Sequence, residues 1–265
     1  KYAEEAARRF PDVQRRVGGY NIDALARTSN GTTNLAHLLV GSEGTLAYSE
    51  RIQLHLANIP GHKVLGVCHF PTFYAAMDSA QHIVKLCPSA VELVDRTMIE
   101  LARDIPMFRD VIGQIVVGQP DALLLVEFSG DDFGTQLQGL KQLQELMSDL
   151  GFSGGVTEAL NPGFQKEIWE VRKSGLNIMM SMRGDGKPVS FIEDCAVRLE
   201  DLAEYTRRLT EIFSKYETSG TWYAHASVGC LHVRPILNVK QDIDVIKMRA
   251  IAEEAFEMVR EYKGS

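Results

Sequence analysis

The sequence predicts an α+β fold, a ferredoxin-like antiparallel sheet with helices packed on one face. Three observations carry that prediction. From Lys63 onward, apolar runs of strand character alternate with segments of helical period, as at 64–70 before 71–84 and 122–128 before 132–150. The returns between them are short and hairpin-forming stretches are mixed in, which favours antiparallel pairing over a doubly wound parallel sheet. Neither G-x-G-x-x-G at a strand–helix turn nor G-x-x-x-x-G-K-[ST] occurs, so neither standard phosphate cradle is present.

Each element has its own justification. Residues 3–16 read as a short charged helix closed by Gly18-Gly19, and 28–34 as a polar loop. Ala47 to Leu56 alternates in the strand manner, with Ile52, Leu54 and Leu56 on one face. Asn58-Ile59-Pro60-Gly61 is the best boundary in the chain, dividing 1–57 from 58–265. Beyond it, strands are expected at 64–70, 91–95, 122–128, 154–159 and 189–197. Helices are expected after Pro71, from about 132 to 150, from about 199 to 216 and from about 242 to 262, each with apolar residues on one face.

Bulk properties narrow the function. The 265 residues are 45% apolar and 24% charged, an ordinary globular composition with room for one large or two ordinary domains. A net charge of −7 argues against nucleic acid as a partner; Arg8-Arg9 with Arg15-Arg16 is the only dense basic cluster. Cys68, Cys87, Cys195 and Cys230 lie far apart with no C-x-x-C pair, which reads as buried reduced thiols rather than a disulfide framework. No window approaches the roughly 18 apolar residues of a membrane span. The chain has neither an initiating Met nor a signal-peptide pattern, so the expectation is a piece of a longer protein, cytoplasmic or peripheral at the inner face of the membrane.

The chemistry concentrates in 222–235, Trp-Tyr-Ala-His-Ala-Ser-Val-Gly-Cys-Leu-His-Val-Arg-Pro. Trp, Tyr, Val and Gly argue against a helix there. A strand, a bend near Val228-Gly229 and a second strand remain. If the register pairs His225 with His232, the imidazoles become cross-strand neighbours that can share a ligand. Glu193-Asp194 is a pair of carboxylates, but neighbours on a strand point to opposite faces, which favours positioning over an acid–base dyad.

Three segments resemble the FAD-linked oxidase family of the vanillyl-alcohol-oxidase type. Val40-Gly41-Ser42-Glu43-Gly44-Thr45-Leu46 is similar to the closing segment of its FAD-binding domain. Phe191-Ile192-Glu193-Asp194-Cys195-Ala196-Val197 resembles an E-D-x-x-V strand of its C-terminal domain, and 225–235 resembles the G-H-x-G-D-G-N-L-H segment of D-lactate, glycolate and D-2-hydroxyglutarate dehydrogenases. The variant A-H-A-S-V-G-C-L-H-V-R-P is similar to the long bacterial members fused to an iron–sulfur module.

The resemblance implies a division into the C-terminal part of an FAD-binding domain (1–57) and most of a substrate or cap domain (58–265). It implies oxidation of a D-2-hydroxy acid to the 2-oxo acid by hydride transfer to FAD, with electrons passing to an iron–sulfur module or membrane acceptor. A homo-oligomer is compatible with it. Two features of the family do not occur in this sequence: a Pro- and Gly-rich pyrophosphate loop, and an S-G-E-H-G-x-G segment after the last helix. A fragment inactive by itself is therefore expected. The alternatives are an isolated substrate- or metal-binding module and an FAD-dependent alcohol or sugar oxidase.

Residue roles follow from the same resemblance. His225 and His232 are candidate ligands of a divalent metal such as Zn²⁺, short of the three protein ligands usual at a catalytic site. The competing assignment makes one of them structural and lets the other face substrate without metal. Arg172 is the candidate clamp for the substrate carboxylate, or else a surface helical arginine. Arg234 adds a second cationic contact or snorkels from a strand edge. Gly41, Ser42, Glu43 and Gly44 lie against the flavin, or form only a tight turn.

Overall fold

The computed structural model describes residues 2–16, 18–25 and 32–265. Part of the expected loop at 28–34 lies outside the described residues. Among the described residues before the boundary there is little regular structure. Helix α1 spans Ala3–Arg9 and stops where Phe10 turns extended (ψ 144°), well short of the expected residue 16. Pro11 is the reason, because proline disfavours a helical residue before it. Helix α2 is one turn, Ala36–Leu39. The alternating stretch 47–56 forms no strand: it has the period but no partner, and Tyr48 and Leu56 are each 92% exposed.

After residue 60 the expected elements appear, several with a side-chain cap. Strand β1 (His62–Phe70) leads to α3 (Phe73–Ile83), whose Thr72 hydroxyl accepts from Ala75 N at 3.2 Å. Strand β2 (Ala90–Asp95) ends on a carboxylate that caps α4 (Arg96–Asp104), and α5 (Pro106–Ile115) opens on a proline. Next come β3 (Ala122–Gly130), α6 (Phe133–Asp149) capped by Asp132, and β4 (Val156–Ala159). Helix α7 (Pro162–Lys173) is capped by Asn161 and runs into α8 (Gly175–Met180). The expected strand at 189–197 shrinks to β6 (Cys195–Ala196), preceded by the short β5 (Lys187–Pro188). The chain then forms α9 (Leu202–Lys215), β7 (Gly220–His225), β8 (Cys230–Leu237) and α10 (Asp242–Glu261).

All pairings are antiparallel, in the order β4-β1-β3-β2-β7-β8-β5, with β6 also on β8. The first four strands with α3 and α6 make a ferredoxin-like β-α-β-β-α-β unit. The second half repeats the scheme with β6, α9, β7, β8 and α10. Ser265 even exchanges two backbone hydrogen bonds with Ala196 (2.9 and 3.0 Å), on the edge of β6 that corresponds to the place of β4 beside β1. The two units meet where β2 lies antiparallel to β7, with Glu92 opposite His225.

The α+β class holds, and α3, α6, α9 and α10 line one face as expected. Their core contains Val64, Phe70, Met77, Leu124, Leu143, Phe213, Trp222 and Val233. A second layer, α4, α5, α7 and α8, covers the other face over the first unit, packing Met98, Phe108, Ile112, Ile168 and Ile178 on Leu65, Val67 and Leu125. Each such buried side chain contributes about 1.5–3 kcal/mol. One-sided packing therefore describes only the β7–β8 half. There Tyr223, His225 and His232 stay partly exposed. Of the thiols expected to be buried, the structure buries Cys68 and Cys230 but leaves Cys87 exposed. Among the described residues no helix is long and apolar enough to cross a membrane.

Candidate functional site

The site forms where the second helical layer gives way to the open face of β7 and β8. Side chains alternate along a strand, so Trp222 and Ala224 enter the core while Tyr223 and His225 face the opposite side. On β8, Leu231 and Val233 are core residues and His232 and Arg234 share the open face. Glu92 joins them from β2, and Arg172 reaches over from the last turn of α7.

The hairpin register corrects the expected one by two residues. His225 pairs with Cys230, and His232 pairs with Tyr223. The cause is the turn: Ala226–Val228 forms a 3₁₀ turn closed by Gly229 at φ 66°, so the bend takes up four residues. A shift of two preserves the faces. The imidazoles are therefore diagonal neighbours rather than direct opposites, with centroids 5.1 Å apart and planes 78° apart. Glycine is obligatory at 229, since a Cβ there would lie 2.1 Å from Val197 O.

Three carboxylates hold this cluster. Glu92 Oε1 lies 2.8 Å from His225 Nδ1, and Glu92 Oε2 accepts from Arg172 Nη2 at 2.6 Å. Glu193 Oε2 lies 3.0 Å from His232 Nδ1, and Glu193 Oε1 forms an ion pair with Arg234 Nε. Asp194 Oδ1 is also 2.9 Å from His232 Nδ1. Alternation along a strand would have separated Glu193 and Asp194. Here the strand has not begun, and Asp194 has φ 60°, which brings both carboxylates onto one imidazole. Tyr223 lies beneath both arginines, its ring centroid 4.8 Å from Arg172 Cζ and 5.1 Å from Arg234 Cζ, and it stacks on His232 at 4.7 Å.

Electrostatics follow from this packing. Burial raises Glu193, but the His232 hydrogen bond and the Arg234 charge outweigh it and hold the carboxyl below its ordinary value. Burial raises the Tyr223 phenol, against the opposing pull of Arg234. Burial also lifts the Cys230 thiol to about 11, which makes it a poor nucleophile. Arg172 Nε and Arg234 Nη1 are buried without a hydrogen-bond partner. Such guanidinium nitrogens suit the oxygens of an incoming carboxylate.

Of the residues expected from the sequence, Arg172, His225, His232 and Arg234 come together. Arg172 is not a surface helical arginine; its side chain is 11% exposed. The Gly41–Gly44 turn is separate: Ser42 bonds locally to Leu39 and Thr45, and the flanking Val40 and Thr45 bond to Asn21 and Tyr20 rather than to the histidines. Glu193, Asp194 and His232 place one ligand atom each within 4.8 Å of one another, a grouping that leaves out His225. Sequence reasoning missed Glu92 and Tyr223. A carboxylate inside Val91-Glu92-Leu93-Val94 needs a buried partner, and that was the available signal for Glu92. For Tyr223 it was the two-residue spacing to His225, which puts both on one strand face.

Comparison with known proteins adds an independent finding. The profile of the FAD linked oxidases, C-terminal domain, matches residues 59–265. D-2-hydroxyglutarate dehydrogenase of Pantoea ananatis is 28% identical over 278 residues, covering 100% of this chain and 27% of that protein. The mitochondrial D-lactate dehydrogenase [cytochrome] of Arabidopsis thaliana is 32% identical over 209 residues, covering 78% of the chain and 35% of that protein. The chain thus spans only about a quarter to a third of these relatives' length. Among solved structures, alkyldihydroxyacetonephosphate synthase aligns with a TM-score of 0.57 at 14% identity, covering 88% of this chain and 45% of that one. p-Cresol methylhydroxylase with substrate bound aligns at 0.55 and 11% identity, covering 78% and 45%; these two likenesses show the fold alone. Over residues 59–265 the chain belongs to the FAD-linked oxidase C-terminal domain family.

Proposed function

We propose that this chain supplies the substrate side of an FAD-dependent dehydrogenase that oxidises a D-2-hydroxy acid, of the lactate, glycolate or 2-hydroxyglutarate class, to the 2-oxo acid. The observation that carries the reading is the pair of largely buried arginines on one tyrosine ring, Arg172 and Arg234, each with an unpartnered nitrogen and an imidazole nearby. Two such forks hold a carboxylate in a fixed orientation, which fixes the α-carbon and its hydroxyl. The relatives named for D-2-hydroxyglutarate and D-lactate support the substrate class.

FAD in the parent would supply the acceptor for the α-carbon hydride. Within this chain Gly41, Ser42, Glu43 and Gly44 would lie against it. Gly41 and Gly44 have φ of 79° and 77°, and the space a Cβ would take is open apart from Asn21 Nδ2 at 4.0 Å from Gly41. A planar ring can therefore approach that backbone closely. In this reading 1–57 completes the flavin domain and 58–265 is the cap. The histidine pair, its ring centroids 5.1 Å apart, would hold a divalent metal such as Zn²⁺, which would supply Lewis-acid polarisation of the substrate hydroxyl. His225 and His232 would then bind the metal and Arg172 with Arg234 the carboxylate. Electrons would leave for an iron–sulfur module or membrane acceptor.

The test uses the full-length parent and a dye acceptor, across D- and L-2-hydroxy acids. Dye reduction with a D-2-hydroxy acid, lost in His225→Ala and His232→Ala, is the expected result. No turnover of any 2-hydroxy acid, with FAD bound, would overturn the proposal. Oxygen consumption with an alcohol or sugar would favour the oxidase alternative.

A further inference from the structure

Glu92 and Glu193 are built alike. Each is a largely buried carboxylate between one imidazole and one guanidinium: Glu92 between His225 and Arg172, Glu193 between His232 and Arg234. They arrive from different units of the fold, one on β2 and the other in the loop before β6. We propose that Glu92 and Glu193 are positioning residues that lock His225 and His232 in the Nδ1–H tautomer and so present both Nε2 lone pairs to one shared ligand. The inference rests on the histidine pair being the centre of the site, but not on which acid is oxidised.

The argument is one of proton counting. A carboxylate only accepts hydrogen bonds, and a neutral imidazole carries one N–H. An Nδ1 at 2.8 Å from Glu92 Oε1 therefore holds the proton, and Nε2 is left as the acceptor. The same holds for His232, whose Nδ1 lies 3.0 Å from Glu193 and 2.9 Å from Asp194. An imidazole that ligates a metal or takes a proton from a hydroxyl needs that free Nε2, and a carboxylate behind the ring is the usual means of securing it.

The two arms differ in one respect. His225 has a single carboxylate behind it, whereas His232 has two. In Glu92→Gln the amide oxygen turns to the Arg172 guanidinium, because a hydrogen bond from a charged donor is the stronger one. The amide NH₂ then faces His225 Nδ1, which must accept, and the proton moves to Nε2. In Glu193→Gln, Asp194 Oδ1, 2.9 Å from His232 Nδ1, is left to take over as acceptor, and the tautomer persists.

Histidine ring tautomers are read directly by long-range ¹H–¹⁵N correlation spectra of the full chain labelled with ¹⁵N-histidine, in mildly alkaline buffer. Wild type is expected to show Nδ1–H at both rings. Glu92→Gln should move His225 alone to Nε2–H, Glu193→Gln should move neither, and Glu193→Gln with Asp194→Asn should move His232 alone. Nε2–H at either ring in wild type, or an unmoved His225 in Glu92→Gln, would overturn the proposal; if that variant does not fold, the wild-type spectra still decide. Titration with Co²⁺ alone, followed by visible absorption, should be about 10–100-fold weaker in Glu92→Gln. Spectra as expected with no Co²⁺ binding to wild type would support the positioning roles and overturn the metal reading instead.

Discussion

Tyr223 sits directly across the hairpin from His232, and the two rings stack at 4.7 Å. The same tyrosine ring carries Arg172 and Arg234, so one aromatic platform sets the position of three site residues. A cation over an aromatic ring gains about 0.5–2 kcal/mol. Tyr223→Leu in the full-length parent should raise KM for the proposed 2-hydroxy-acid substrate about 10-fold or more. Tyr223→Phe keeps the ring and should stay within about 2-fold. Equal effects in the two variants would mean that the hydroxyl, not the platform, matters.

Arg172→Lys should be severe despite keeping the charge. The ammonium lacks the planar fork that serves Glu92 and an incoming carboxylate together. The expected loss in kcat/KM is about 10–100-fold, from roughly 1–3 kcal/mol of lost charge-assisted bonding. Steady-state kinetics on the parent, with the substrate's amide as control, check it. A loss that is equally large for the amide would argue against carboxylate recognition.

Gly229→Ala should disturb the hairpin that carries both histidines. Its Cβ would meet Val197 O at 2.1 Å, and φ is 66°. Backbone strain of this kind costs about 1–3 kcal/mol before any steric shift is counted. Thermal unfolding of the chain should show a Tm lower by several degrees. A Tm equal to wild type would mean that the turn has room to relax.

Asp95 gives a pH-dependent term. It caps α4 through Met98 N and accepts from Trp222 N of β7, both at 2.8 Å. Burial nevertheless raises its carboxyl to about 7, against the lowering effect of those two donors. The folded state thus holds a proton that an unfolded carboxyl, at about 3.9, releases. The associated stability is full below about pH 4 and is lost as pH rises to about 7. In urea titrations at several pH values, wild type should lose roughly 1–4 kcal/mol more than Asp95→Asn over that window. Parallel pH profiles would count against it.

Much of the fold was legible because its elements carry clean periods. Phe133, Leu137, Leu140, Leu143 and Met147 announce α6, and Val64 to Phe70 announces β1. Phe108, Val111, Ile112 and Ile115 behind Pro106 form an equally good helical stripe for α5, but a stripe does not say which face of the sheet it covers, and so the second layer was not legible. Period says nothing of partners, which is why 47–56 looked like a strand and is none. At the site, the histidine pair and the two arginines were legible from residue type and resemblance. The register was not, because it depends on a 3₁₀ turn between the strands. Nor was Glu92, whose partners His225 and Arg172 lie 133 and 80 residues away.

The antiparallel seam of β2 and β7 makes the site an inter-unit construction. Glu92 comes from one ferredoxin-like unit, and Tyr223, His225, His232 and Arg234 from the other. Neither half alone contains a complete His–carboxylate–Arg arm on the β2 side. A slip of the seam by two residues would keep every core residue on its own face, yet would leave His225 opposite Ala90 or Val94. The polarity pattern alone therefore does not discriminate between these registers, whereas the packing of Trp222 on Phe73 and Phe213 does. The contacts Glu92–His225 and Glu92–Arg172 discriminate as well, so the chemistry of the site favours the same pairing as the core.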